Sequence, residues 1–521
     1  MTALDWILAA APLLAVLVLM VGFRWGAIKA GPVGWLVAIL VAAMRFGAGG
    51  DVLLYAQGRA LLLTLDVLYV VWGAMLFYQV TDQAGALRAI GRDLPRLTAD
   101  PVMQALLLAW VFASFLQGVG GFGVPVAVAA PVLLSLGVPP LLAVVMPSLG
   151  HGWAVTFGSL GLSFQALTSA TGLPAEALAP WSAFLLGVMC VFSGAAVAQA
   201  RDGLRGLRQG LPAVLIVGAI MAVVLYIVGN SDFWSLGSTA AGIAGLAAAV
   251  ALTRLPRYRA PANNAHGGNP GGMAIGWALA CYAMLLVVTF AVKGVPAFKA
   301  ALGGAVLSVS FPETQTALGW VTPAGPGREI AIFTHTGAVL LYASALTFIL
   351  YHRKGFYGAG AARRVLAGTS RGALKASVGI LALVGMAMVM ETSGMTNILA
   401  QGLSQSVGPV VYPAVATAIG ALGAFMTGSN TNSNVVFAGL QMQTAQLLGL
   451  SAALVLGVQT AAGAIGSVLA PTKLIVGAST GGMAGREGEV LRATLIGGVA
   501  LLVILAVIAV AAVLLSGGAP V

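Results

Sequence analysis

Apolar residues fill long runs along the whole chain, each close to the roughly 20 residues that a helix needs to cross the hydrocarbon core. Twelve such runs predict full spans, at 6–23, 30–46, 59–80, 101–118, 179–199, 211–229, 233–253, 273–292, 329–351, 375–392, 408–427 and 490–516. Two further apolar regions, 122–160 and 433–470, are interrupted by Gly, Pro and polar residues and predict broken or re-entrant helices. No stretch alternates apolar and polar residues over segments of about ten, as the strands of a membrane β-barrel would. Helices close their own backbone hydrogen bonds in lipid, so the expected fold is an all-α polytopic bundle. The run from Trp6 to Phe23 has no basic stretch before it and is long for a signal-peptide core. It is read as a retained first span.

Composition agrees. Of 521 residues 60% are hydrophobic and 7% charged, against about a quarter charged in a soluble domain. The net charge of +11 does not indicate nucleic acid, because the basic residues sit in short segments between spans, where topology places them. Cys190 and Cys281 both fall in apolar runs and form no metal or redox motif, so no disulfide is expected.

Orientation follows from Lys and Arg. Loop 82–100 carries Arg88, Arg92 and Arg96; loop 200–210 carries Arg201, Arg205 and Arg208; loop 254–272 carries Arg254, Arg257 and Arg259. Loop 352–375 carries Arg353, Lys354, Arg363, Arg364, Arg371 and Lys375. These four are expected in the cytoplasm. Loops 161–178 and 393–407 have no Lys or Arg and are expected outside, which puts both termini outside. Loop 293–328 also lands outside, despite Lys293 and Lys299.

The chain resembles itself at an offset of about 310 residues. YQVTDQAGAL (78–87) aligns with MVMETSGMTN (388–397), pairing Asp82 with Glu391 and Gly85 with Gly394. FLQG (115–118) aligns with FMTG (425–428), and LGVPPLL (136–142) with LGLSAAL (448–454). The connection after Asp82 is rich in Arg and the one after Glu391 has none, so the two units, about 66–161 and 375–471, are expected to be inverted. The predicted organisation is N-terminal spans 1–58, a first unit 59–161, connecting spans 162–374, a second unit 375–471 and a C-terminal span 472–521.

Inverted repeats with broken helices place a solute site at their interface near the bilayer midplane. A backbone that unwinds in lipid needs partners for its N–H and C=O groups. The first break, Gly118, Gly120, Gly121, Phe122, Gly123 and Pro125, exposes backbone, and a helix starting near Val124 offers N–H groups to a carboxylate. The second break is a run of six polar residues, Ser429, Asn430, Thr431, Asn432, Ser433 and Asn434. Gln117 and Thr427 occupy matching places before the breaks. Gly-rich crossings and polar contacts between helices also produce such sequences, but six adjacent polar residues between apolar runs favour a solute pathway. Burial in an apolar medium favours the neutral carboxyl, so Asp66, inside a span, and Glu391, at a span end, are candidates for a coupling proton. The alternatives are that Asp66 pairs with a base and Glu391 is interfacial. Lys473, after Pro471, is either a counter-charge for an anion or a positive-inside residue. His151 is read as a structural hydrogen-bonder.

The two breaks, FLQGVGGFGVPVAVAAPVL (115–133) and FMTGSNTNSNVVFAGLQ (425–441), resemble the L-lactate permease family. SGMT (393–396), TAAGAIGSVLAP (460–471) and GREGEVLRATL (485–495) add to the likeness. The resemblance implies uptake of lactate, glycolate or similar short carboxylates, usually with protons. The family usually has an acid where this chain has Gln117 and Asp where it has Asn430, and a neutral residue at Lys473. Each departure makes the site less negative, which suits a more strongly anionic solute or a different coupling. A proton site in this chain then falls to Glu391 or Asp66.

The expected function is an alternating-access carrier of a small organic anion in a bacterial inner membrane, with a dimer expected by analogy with other inverted-repeat carriers. The rivals are a carrier of a sulfonate or dicarboxylate with sodium or no coupling ion, and an anion channel. No zinc-protease motif, nucleophile elbow or nucleotide loop is present, so no catalytic residues, metal or cofactor are expected.

Overall fold

The computed structural model describes residues 3–515 except 24, 122, 257, 259–272 and 485. Helices form wherever an apolar run was expected to span. Their order is α1 Ala3–Leu17, α2 Ala27–Arg45, α3 Gly50–Gln83, α4 Ala86–Asp93 and α5 Pro101–Val119, then α6 Val124–Ser135, α7 Pro140–Gly150 and α8 Leu162–Thr171. They continue with α9 Ala175–Gly229, α10 Gly237–Leu252, α11 Ile275–Gly294, α12 Pro296–Gly303 and α13 Thr336–Arg353. The chain ends with α14 Ala361–Thr392, α15 Met395–Ser406, α16 Tyr412–Thr427, α17 Asn430–Leu447, α18 Ala452–Val468, α19 Pro471–Thr480 and α20 Glu487–Leu515. Among the described residues eight helices are long and apolar enough to cross a membrane, or nine if the bent pair α18–α19 counts as one span. Helices α1, α13 and α16 cover other expected spans but fall short of that length or apolarity.

Several expected loops are helical. Spans 179–199 and 211–229, together α9, are two helices that meet at a kink, where Asp202 and Gly203 (φ 57°) leave helical geometry. The charged segment before span 375–392 is the first part of α14, because Arg and Lys are good helix formers and extend the helix beyond its apolar part. Loop 161–178 holds α8, a short buried helix. The expected span 329–351 begins only at Thr336, because residues 306–331 form an irregular antiparallel hairpin pairing Val306 with Ala331, Ser310 with Pro326 and Thr314 with Thr322. The all-α expectation therefore fails at this one hairpin among the described residues.

The two sequence units have the same order of parts. A long helix (α3; α14) ends at a left-handed glycine (Gly85, φ 82°; Gly394, φ 81°) and a short helix follows (α4; α15). Then come a helix running into a break (α5; α16), a helix leaving it (α6; α17), a left-handed glycine (Gly137, φ 78°; Gly449, φ 68°) and a further helix (α7; α18). A short helix closes each series (α8; α19). The matched helices α3 and α14 pack side by side, α8 packs on α17, and α19 packs reciprocally on α6. The hairpin sits at the other end of α3 from α4. Arg59 donates to Pro323 O at 3.1 Å and its guanidinium lies over Phe311, 5.1 Å from the ring centroid.

Candidate functional site

Helix α16 stops at Thr427, whose hydroxyl lies 2.8 Å from Gly423 O and 3.0 Å from Ser429 O, two acceptors for its one proton. Gly428 reverses the chain in the left-handed region (φ 70°), and a Cβ there would stand 2.5 Å from Thr472 Oγ1. Ser429 caps α17, its Oγ accepting from Asn432 N at 3.3 Å. The unwound stretch is thus only Gly428 and Ser429. From Asn430 onward the polar run is the first part of a helix, a correction to the expected six-residue break. Capping satisfies the backbone that a longer unwinding would have left unpaired.

The first break is more irregular. Helix α5 ends at Val119, Gly121 and Gly123 are left-handed (φ 56° and 89°), and α6 starts at Val124 as expected. Phe122 lies outside the described residues. Its glycines serve close packing more than ligand access. A Cβ on Gly118 would stand 2.8 Å from the Thr239 backbone, one on Gly120 3.2 Å from Tyr78, and one on Gly123 3.7 Å from Val476, while one on Gly121 would strike Ser159 Oγ. The segment after α7 fits into this seat. Ser159 N donates to Gln117 O at 2.8 Å and Leu160 N to Gly118 O at 3.1 Å. Ser159 and Leu160 are held at φ 47° and 58°, a strained region for residues with a Cβ.

Where the breaks meet there is a cavity of about 50 Å³. One wall is Gln117, Val155, Ser159, Leu162 and Ser163; the other is Gly428, Ser429, Asn430, Thr431 and Lys473. Lys473, in the first turn of α19, donates to Ser467 Oγ at 3.1 Å. Among the described residues no acid pairs with it. A helix N-terminus is electrostatically positive, so α17 and the cation on α19 give the cavity one sign. Gln117 Oε1 and Asn430 Oδ1 are buried without a hydrogen-bond partner.

The other polar residues brace this wall. Asn430 Nδ2 donates to Thr156 Oγ1 at 3.1 Å and Asn434 Nδ2 to Thr460 Oγ1 and Ser163 O, both at 2.9 Å. Thr431 and Ser163 hydroxyls meet at 3.1 Å, and Ser433 Oγ donates to Gly420 O at 2.9 Å. Asn432, Ser433, Asn434 and Thr427 do not line the cavity. Nor do Asp66 and Glu391. Asp66 is paired with bases, Arg328 Nε at 3.1 Å and His335 Nε2 at 2.9 Å. Glu391 is half-buried near the end of α14. His151 Nδ1 meets Pro147 O at 2.5 Å. The sequence reading missed Ser159 and Ser163 on the wall and Thr156, Thr460 and Ser467 behind it. The run VTFGSLGLS (155–163) carries a signal, three hydroxyls among glycines after a re-entrant helix.

A larger cavity of about 440 Å³, with Met20, Trp25, Phe425, Met426 and Thr472 in its wall, lies beside the polar one. The close approach of Gly428 and Thr472 stands between the two.

Apolar helices long enough to cross a membrane, with two chain breaks meeting in a buried polar cavity, define a multi-span membrane transporter. The L-lactate permease family model matches residues 5–516, and the chain belongs to that family. It is 26% identical over 499 residues to an L-lactate permease of Bacillus subtilis, covering 88% of this chain and 87% of that one. It is 25% identical over 454 residues to the L-lactate permease of Salmonella typhimurium (82% and 81% covered). With the glycolate permease GlcA of Escherichia coli it shares 26% identity over 524 residues (94% and 92% covered). Among solved structures, the YdaH transporter of Alcanivorax borkumensis is similar at a TM-score of 0.45 and 14% identity, over 86% of this chain and 85% of that one.

Proposed function

We propose that this protein carries a small monocarboxylate of the lactate or glycolate class across a bacterial inner membrane, binding its carboxylate in the cavity between the two breaks. The observation that carries this reading is Lys473, a cation in the cavity wall beside the N-terminus of α17, with no acid paired to it among the described residues. A charge removed from water is costly unless it is compensated, and a small anion compensates it. The printed names of the relatives support the solute class. Gln117, Ser429, Asn430 and Thr431 complete the proposed ligand set, with Asn432, Ser433, Asn434 and the glycines of the first break positioning it.

On this reading the two units are inverted repeats, the spans number twelve, and solute reaches the site by alternating access. The parallel order of parts and the reciprocal packing of α8 and α19 support this organisation. On the same reading α8 and α19 join the units read from the sequence, which then run over about 59–171 and 375–480. Both termini are periplasmic, and the protein works as a proton symporter, with Asp66 and Glu391 as the coupling candidates, and as a dimer. The test is uptake of labelled L-lactate into proteoliposomes with an inward proton gradient imposed or absent. Accumulation that requires the gradient supports proton symport. Uptake indifferent to the gradient removes the coupling, and absence of lactate and glycolate uptake removes the solute class.

A further inference from the structure

Outside the cavity, Asp66 on α3 is the hub of a second polar cluster. Its side chain is 1% exposed. Oδ2 accepts from Gln165 Nε2 at 2.9 Å, Ser169 Oγ at 2.5 Å and Arg328 Nε at 3.1 Å, and Oδ1 meets His335 Nε2 at 2.9 Å. These donors come from three places: Gln165 and Ser169 from α8, Arg328 from the returning strand of the hairpin, and His335 from the cap of α13. The His335 tautomer follows from its other nitrogen. Nδ1 accepts from Gly337 N at 3.2 Å, which leaves the Nε2 proton for Asp66. Its ring lies flat against Tyr69, with centroids 5.0 Å apart and planes 7° apart.

Helix α8 joins this cluster to the cavity. Its first residues, Leu162 and Ser163, line the cavity, and Ser163 holds both Thr431 and Asn434. Its later residues, Gln165 and Ser169, are held by Asp66. Ten residues of helix are only about 15 Å long, so a displacement of one end moves the other. A buried carboxylate is stable only while its donors are in place. We propose that Asp66, Arg328 and His335 form a latch that holds α8 closed over the cavity on the hairpin-bearing face, and that α8 must leave this position for solute to pass on that face. All three are positioning residues and touch no solute. The proposal rests on the carrier reading of the cavity.

The test reads access directly and needs no lactate. Thr431→Cys places a thiol in the cavity wall, and the parent protein is the blank because Cys190 and Cys281 are buried. A membrane-impermeant methanethiosulfonate is added on the hairpin face of proteoliposomes, and the labelling rate is compared in T431C alone and combined with D66N, R328Q or H335Q. Each combination is expected to label roughly tenfold faster or more, as loss of one partner uncovers a buried charge. The surface variant R486Q, which breaks the exposed pair with Glu489, is expected to change nothing. Arg328 is 28% exposed in its side chain, so R328Q removes one donor with the least disturbance of the fold. Unchanged labelling in R328Q and H335Q proteins that remain inserted and monodisperse would overturn the latch. Because labelling is independent of solute identity, a failure of the lactate reading leaves this result interpretable.

Discussion

Lys473 and Asn430 line one narrow cavity, and their chemistry predicts different responses to acid. Lys473→Gln removes the charge that the anion neutralises, and KM for lactate is expected to rise roughly ten- to a hundredfold, the range for losing a charge-assisted hydrogen bond. Acidifying the medium will not restore it. Asn430→Asp puts a carboxylate in the same cavity wall as Lys473, where it competes with the solute for the same cation. Its KM is expected to be about tenfold raised at neutral pH and to fall as the pH drops, because protonation removes the competing charge. Uptake kinetics of the two variants across pH check both. An Asn430→Asp protein with wild-type KM at neutral pH would place the anion away from Lys473. At this scale the sequence was half legible. Gln117, Ser429, Asn430, Thr431 and Lys473 stand out because polar groups are conspicuous between apolar runs. Thr156, Ser163 and Thr460 do not, because an isolated hydroxyl in a helix is ordinarily satisfied by its own backbone. Only the approach of α8, the segment before it and α18 to α17 turns them into braces.

Among the elements, α17 makes the sharpest contrast between two glycines. Gly428, before its cap, combines a left-handed backbone with a Cβ site 2.5 Å from Thr472 Oγ1. Gly428→Ala is expected to destabilise by about 1–2 kcal/mol from the backbone alone, with more from the clash, and to reduce uptake by tilting α17. Gly439, on the same helix, has no heavy atom within 4 Å of its Cβ site. Gly439→Ala is expected to be neutral or stabilising by up to about 1 kcal/mol. Thermal melts in detergent distinguish the two, and equal shifts would mean that the turn at Gly428 is not fixed. Spans were the most legible elements, since their apolar length is dictated by the bilayer. Their ends were less so: the charged residues at the start of α14 carry the helix beyond the apolar run. Helix α8 was missed because it is short and bears Ser163, Gln165 and Ser169, so its burial is decided by Asp66 and Thr431 rather than by its own pattern. The hairpin was missed for a similar reason, its paired segments being two residues each.

For the whole molecule, the decisive property is the relative direction of the two units. Packing alone is consistent with inversion: α3 lies against its counterpart α14, and each unit lends its last short helix to the other, α8 to α17 and α19 to α6. Such reciprocity is what a two-fold relation produces. Whether the axis lies in the membrane plane depends on which side of the bilayer each unit starts from, and the charge pattern makes a definite statement about that. Arg88 on α4 and Ser406 on α15 are exposed residues on matched helices, and inversion puts them on opposite faces. Arg88→Cys is expected to react with an impermeant thiol reagent only from the cytoplasmic side, and Ser406→Cys only from the periplasmic side. The two native cysteines are buried and give little background. Labelling of both positions from one side would make the repeats parallel. The two cavity walls would then no longer exchange exposure by the motion of one unit against the other, and alternating access would have to be sought in the opening of α8 alone.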